Sequence, residues 1–297
     1  MIAMIAVLTF EGLAQDKIPA DVARAEKVLV EKPDDASANL TVGTYHASRG
    51  DWAKAVPCLS KSATQAIRDA ALAEAKVEEN GFGFVEIGDA WIKAAGAHAK
   101  ARQAFQERAA YWYVKGYEKL SDDLWKAQLK EKLLKLAGVN RETPWKSAGI
   151  PGWWSLWDGQ KAGLDGAAKD GRRSVRILQA PEDVNKRPGI VSPPMSPKPG
   201  ATYTVTLWAM TDGTDAPGEV RVRFWDQNGQ FAGQWGPFIP ADTPYWKKLE
   251  AEVKPPPNAG KMDVQVVVTS RRGQTWIDGL SLKLDGKELL ENGSFEK

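Results

Sequence analysis

Nine of the 13 tryptophans in this 297-residue chain lie beyond residue 144, and several stand beside arginines at a spacing that could do chemistry. In VRVRFW (220–225), Val220, Val222 and Phe224 alternate with Arg221, Arg223 and Trp225. Successive side chains of an extended strand point to opposite faces, so two guanidiniums and an indole share one face and three apolar groups the other. An indole offers a flat apolar surface to the C–H face of a sugar ring, and neighbouring guanidinium donors can meet its hydroxyls. Thr204, Thr206 and Trp208 oppose Tyr203, Val205 and Leu207 in the same way, and Gln265 opposes Val264 and Val266. Were these strands adjacent, they would form one polar and aromatic surface. Trp153, Trp154 and Trp157 crowd into PGWWSLWDG (151–159), and Trp235 sits in a similar Gly-flanked stretch. The candidate platform is therefore Trp153, Trp154, Trp157, Trp208, Arg221, Arg223, Trp225, Trp235 and Gln265. The competing reading makes Trp208, Trp246 and Trp276 packing residues and pairs Arg223 with Glu219 or Glu250.

Other chemistry is scarce. One cysteine, Cys58, excludes an intrachain disulfide and a Cys-cluster metal site, and two histidines leave little room for a zinc centre or a Ser-His-Asp triad. No nucleophile elbow, zinc-protease, phosphate-loop or dinucleotide motif occurs. No residue is assigned a catalytic role, although paired carboxylates for glycoside hydrolysis are not excluded by sequence. Lys+Arg is 40 against Asp+Glu 38, a net charge of +2 that lacks the basic excess of a nucleic-acid binder.

The elements that must carry these residues change at mid-chain. Of 18 prolines, 15 lie at or after Pro144. The Ala-rich first half reads as helical, and the Pro/Gly-punctuated second half as short strands. Residues 1–14 (MIAMIAVLTFEGLA) have the apolar run and small residues of a secretory signal, which predicts a secreted or periplasmic protein, the alternative being a cytoplasmic one with a buried first helix. No stretch is long enough to span a bilayer. Residues 15–138 are expected to hold about seven helices, 139–152 a linker and 153–297 the strands. Ala36, Leu40, Gly43 and Ala47, then Trp52, Ala55, Val56, Leu59 and Ala63, form two apolar stripes either side of Gly50-Asp51. This helical hairpin resembles a tetratricopeptide repeat at Gly43, Gly50, Ala55 and Leu59, though Pro57 departs from it and should kink the second helix. This half reads as a structural spacer or docking platform, and the resemblance implies a peptide-binding groove as the sharper alternative. A last helix is expected from Ser121, capped by its hydroxyl, with the stripe Trp125, Leu129, Leu133 and Leu136.

In the second half, three alternating runs bounded by Pro199-Gly200, Asp212-Gly213, Asn228-Gly229 and Arg272-Gly273 predict an antiparallel β-sandwich. DGRRSVRI (170–177), KPGATYTVTLWAM (198–210), VRVRFWDQNG (220–229), TPYWKKLEAEV (243–253) and WIDGLSLK (276–283) resemble, in order, the strands of CenC-type carbohydrate-binding modules. That resemblance implies a galactose-binding-like jelly roll and non-catalytic binding of a polysaccharide or glycan. Alternatives are a protein-interaction scaffold and an accessory part of a glycoside-hydrolase system. No cofactor is required, but many such modules carry a structural calcium ion, for which the resemblance offers Asp278 and Glu296. ELLENGSFE (288–296) resembles the segment that opens such a module; it either supplies the first strand from the C-terminal side or begins a further module.

Overall fold

The structure is a computed structural model, and it describes residues 18–139, 162–179 and 187–296, together with the backbone of 155–157. The expected signal and almost all of the expected linker lie outside these residues. The chain divides into a helical unit ending at Ser121 and a unit that begins at Asp122 and contains the strands.

The helical unit contains α1 (Ala20–Glu31), α2 (Ala36–Ser48), α3 (Trp52–Leu59), α4 (Gln65–Ala75), α5 (Gly81–Ala97) and α6 (Arg102–Lys119). Helices α2 and α3 form the expected hairpin, each capped by an aspartate, Asp35 on the amide of Ala38 and Asp51 on that of Lys54. A β-carbon on Gly43 would come within 2.7 Å of the Leu59 side chain, so a larger residue there would force the buried Leu59 to shift. Pro57 lies inside α3, which ends two residues later.

At the centre of the unit is a carboxylate. Glu74 is buried and accepts hydrogen bonds from Trp91 Nε1 and Trp112 Nε1, both at 2.7 Å, and from Arg108 Nε at 3.0 Å. A second guanidinium nitrogen of Arg108 closes the fork on Glu74. The guanidinium carbon lies 4.8 Å from the ring centre of Trp52 and 4.5 Å from that of Tyr111. Sequence periodicity reads Trp91 and Trp112 as apolar packing, but each also brings an N–H that must find an acceptor once buried.

The seventh helix, α7 (Asp123–Leu136), belongs with the strand unit. Its cap is Asp122, whose carboxylate accepts from the Trp125 amide at 2.9 Å, rather than Ser121. Leu129, Leu133 and Leu134 are buried, whereas Trp125, expected on the stripe, is exposed.

Two antiparallel sheets follow, each of six strands among the described residues. The first runs β1 (Ser155–Trp157), β4 (Gly189–Val191), β10 (Ala259–Val267), β6 (Gly218–Asp226) and β7 (Phe231–Trp235), with β8 (Phe238–Ile239) also on β6. The second runs β2 (Ala162–Asp165), β3 (Ser174–Gln179), β11 (Gly273–Leu284), β5 (Tyr203–Asp212) and β9 (Lys247–Val253), with β12 (Lys287–Glu288) on β11. Val220, Val222, Phe224, Val264 and Val266 from the first sheet interlock with Val205, Leu207, Ile277 and Leu282 from the second. Residues 289–296 form no strand. They close the sandwich by inserting Leu290 and Phe295 into this core, while the Leu280 amide donates to the Gly293 carbonyl.

The outer face of the second sheet is a packing face. Met210 and Trp276 cluster there with Leu134 of α7, Ala167 and Trp246. Lys130 of α7 reaches Asp212 at 2.9 Å and Asp242 at 2.6 Å. Burial works against its ammonium, but hydrogen bonds to the two carboxylates outweigh that and raise its pKa above the ordinary 10.5.

Two outcomes follow from these ion pairs. Glu74→Ala strands a guanidinium and two indole N–H groups, and should destabilise the helical unit by about 3–5 kcal/mol in denaturant titrations followed by circular dichroism. Lys130→Met should cost about 1–3 kcal/mol near neutral pH. A folded pKa above the unfolded one means that the Lys130 contribution is complete below pH 10.5 and disappears as pH rises through the folded value, so the stabilities of parent and variant should converge in strong alkali.

Candidate functional site

Strands β6 and β10 pair so that Arg221 lies opposite Gln265, Arg223 opposite Asp263, and Trp225 opposite Lys261. The core-facing Val220, Val222 and Phe224 are buried, which puts Arg221, Arg223 and Trp225 on the outer face of the first sheet, as the alternation requires. Arg223 donates Nε and Nη2 to the two oxygens of Asp263, both at 2.8 Å. This bidentate fork answers the expected choice of Glu219 or Glu250. Glu219 instead accepts from Arg221 Nε at 2.6 Å, and Glu250 pairs with Lys248 on the second sheet. The Arg223 guanidinium carbon and the Lys261 ammonium lie 5.0 and 5.2 Å from the Trp225 ring centre. Phe231, 58% exposed, meets the Trp225 ring edge-on at 6.2 Å.

The β6–β7 hairpin brings these rings together. Asp226 Oδ1 accepts from the amides of Asn228 and Gln230, making the turn expected at Asn228-Gly229. Two aromatic residues that the sequence reading passed over, Phe231 and Phe238, extend the surface. Asp263 was passed over too, although its place in MDVQV, on the same face as Gln265, marks it as a partner for an arginine.

Other members of the expected platform stand elsewhere. Trp208 is on β5 of the second sheet, opposite Asp278 and Lys248, with the Lys169 ammonium 5.0 Å from its ring centre. It does not join Arg221, Arg223 and Trp225, because β5 and β6 belong to different sheets. Gln265 shares the outer face but is 1% exposed, and neither its amide oxygen nor its nitrogen has a partner among the described residues. Trp235 pairs in register with the core-facing Val222, lies 5.9 Å from Phe224, and is 48% exposed at the sheet edge. Trp153 and Trp154 lie outside the described residues. Trp157 pairs with Gly189 through the backbone of β1, and its side chain lies outside them.

Asp278 and Glu296 hold amides. Asp278 Oδ2 accepts from Lys169 and Asp170 at 2.8 and 3.0 Å, and Oδ1 from Gly279 at 2.7 Å. Glu296 Oε1 accepts from Arg172 and Arg173 at 2.7 and 2.8 Å. Burial pushes the Asp278 carboxyl above its ordinary range, opposed by these amide donors, whereas the amides of Arg172 and Arg173 hold Glu296 below its own. Calcium takes six to eight oxygen ligands. Here the two carboxylates face five N–H donors, and no group of three or more His, Cys, Asp or Glu side chains gathers among the described residues. This donor set does not fit a calcium ion.

No protein-family model matches the chain, and no curated protein matches it. Solved structures match at low similarity. The enzymatically active domain of bacteriophage CBA120 tailspike protein 4 is 17% identical with a TM-score of 0.39, over 50% of this chain and only 22% of that one. A family 16 carbohydrate-binding module is 15% identical with a TM-score of 0.35, over 41% of this chain and 85% of that one. A xylan-binding domain of carbohydrate-binding module family 22 is 17% identical with a TM-score of 0.39, over 48% of this chain and 94% of that one. The ligand is therefore read from the residues of the surface itself.

Because Asp278 and Glu296 already accept from five backbone amides, adding calcium or a chelator should leave the melting temperature unchanged. A calcium-dependent rise in differential scanning fluorimetry would refute this.

Proposed function

We propose that the strand unit binds an uncharged polysaccharide or glycan, without catalysis, across the outer face of its first sheet between β10 and β7. The observation that carries this reading is Trp225: a half-buried indole on a sheet face, held by the Arg223–Asp263 fork and continued by the exposed Phe231. Stacking needs a ring that is fixed in place yet open to solvent, and hydroxyls need donors and acceptors close by. Arg221, Glu219 and Gln234 supply those on the same face.

The ionic groups favour a neutral ligand. Arg221 and Arg223 are each neutralised by a carboxylate, and the Lys261 ammonium beside Trp225 adds one positive charge, so the surface offers hydrogen bonds with only a weak field for anions. Within this reading the unit is a CenC-type module, the helices form a tetratricopeptide-like docking platform for a protein partner, and the protein works in a secreted or periplasmic setting. No helix among the described residues is long and apolar enough to cross a membrane. A second reading, contact with another protein, is favoured by Phe231 and Phe238, which are 58% and 66% exposed.

The test is retention of the full chain on insoluble polysaccharides and on a glycan array. Trp225→Ala should weaken binding at least about tenfold while leaving the melting temperature within a few degrees. If the unaltered chain binds no glycan, protein contact becomes the better account.

A further inference from the structure

The edge of the sandwich carries a second aromatic feature that the outer face does not use. Trp235 ends β7, and its ring lies over Gly233, where a β-carbon would fall 2.5 Å from the indole. One face of the ring is thus seated on backbone while 48% of the residue stays exposed. The ring walls a cavity of about 420 Å³ with Glu252, Val253 and Lys254 at the end of β9. It also walls a smaller cavity of about 110 Å³ with Glu219, Arg221, Gln234 and Phe238. The smaller cavity passes over Gly236, where any side chain would strike the Val220 carbonyl. Trp235 is thus common to a cavity on the outer face, beside Arg221 and Gln234, and to one at the open edge.

The surroundings of the two cavities differ chemically. On the outer face Arg221 and Arg223 are paired with carboxylates. At the edge, the side chains of Glu252 and Lys254 are exposed and make no ion pair or side-chain hydrogen bond among the described residues. A carboxylate acceptor and an ammonium donor beside a seated indole complement the hydroxyls and the C–H face of one sugar ring. The volume lies in the range of roughly 300–1,000 Å³ typical of small-ligand pockets.

We infer that this edge is a separate subsite for a single sugar carried as a side chain or branch, while the outer face takes the main chain. The inference rests on the carbohydrate reading above. The glycan is then a substituted polymer, and Trp235 sets the preference for the substituted form over the bare one.

The experiment uses the full chain with Trp225→Ala, Trp235→Ala and the double variant Glu252→Ala/Lys254→Ala. Each is titrated against three linear and substituted pairs: mannan and galactomannan, linear xylan and arabinoxylan, cello-oligosaccharides and xyloglucan. Trp235→Ala and the double variant should lose at least about tenfold in affinity for a substituted polymer and leave its linear counterpart unchanged. Trp225→Ala should weaken both. The double variant alters only exposed residues, so it reports on the subsite even if Trp235→Ala perturbs the hairpin. An unaltered chain that retains only linear polymers, or edge variants that affect both forms equally or neither, would overturn the inference and leave the platform standing. An unaltered chain that binds none of the six would remove the carbohydrate reading and this inference together.

Discussion

An arginine on one strand and an aspartate on the next hold the candidate surface together. The Arg223–Asp263 fork spans β6 and β10, with side chains only 12% and 9% exposed. In such a setting the Coulomb attraction is largely offset by the desolvation of both ions, so the pair adds little net stability. Its larger effect is specificity. Slipping β10 by one residue would turn Val264 outward and Asp263 into the core, so the fork and the valines enforce the same register. Register in turn places Lys261 and Arg223 around Trp225, and a ring bounded by two cations and by Phe231 has little freedom to turn. The ligand would then meet a ring whose ordering entropy has already been spent in folding.

The two sheets divide the remaining work. Each has one face in the common core and must dispose of the other. The second sheet covers part of its outer face with α7, Ala167 and Trp246, and anchors that cover through Lys130 between Asp212 and Asp242. The first sheet leaves rings exposed along β6 and β7, at Trp225 in part and at Phe231 and Trp235 more fully, whereas Asp263 and Gln265 on β10 are buried. The residue types explain this contrast. Met210 and Trp276 on the outer face of the second sheet require burial, whereas Arg221 and Arg223, once paired, tolerate partial exposure.

Period-two alternation made much of this legible, because it depends only on the local geometry of one strand. It correctly separates Val220, Val222 and Phe224 from Arg221, Arg223 and Trp225. It is silent on which strands adjoin, since neighbours are chosen by turns, crossovers and volumes distributed along the chain. Trp208 follows the same alternation as Trp225 and yet lies on the other sheet. The helices show a similar division. Heptad-like stripes locate α2, α3 and α7, but the bond that organises the helical unit, Glu74 with Trp91, Trp112 and Arg108, joins residues up to 38 positions apart and leaves no periodic trace. The cap of α7 fell one residue from its expected place because serine and aspartate are adjacent and both can cap; the carboxylate of Asp122 is the one within reach of the third amide.

The carboxylates at 278 and 296 show how one residue type can serve two purposes. Aspartate and glutamate near a glycine-containing loop attract a cation when the loop turns its carbonyls inward. Here the loop turns its amides inward, and Gly171, with φ near 79°, leaves room for the Glu296 carboxylate to approach the backbone. The two anchors respond oppositely to acid. Glu296 has a depressed pKa, so its contribution is complete above its ordinary value and is lost as pH falls through the folded value. Asp278 has a raised pKa, so its ionisation opposes folding, and that penalty lessens as pH falls below its folded value. Acid therefore loosens the loop at residues 172–173 while relieving the buried charge that faces residues 169–170. The divergence follows from the deeper burial of Asp278, which outweighs its amide donors, whereas the half-buried Glu296 is governed by the amides of Arg172 and Arg173.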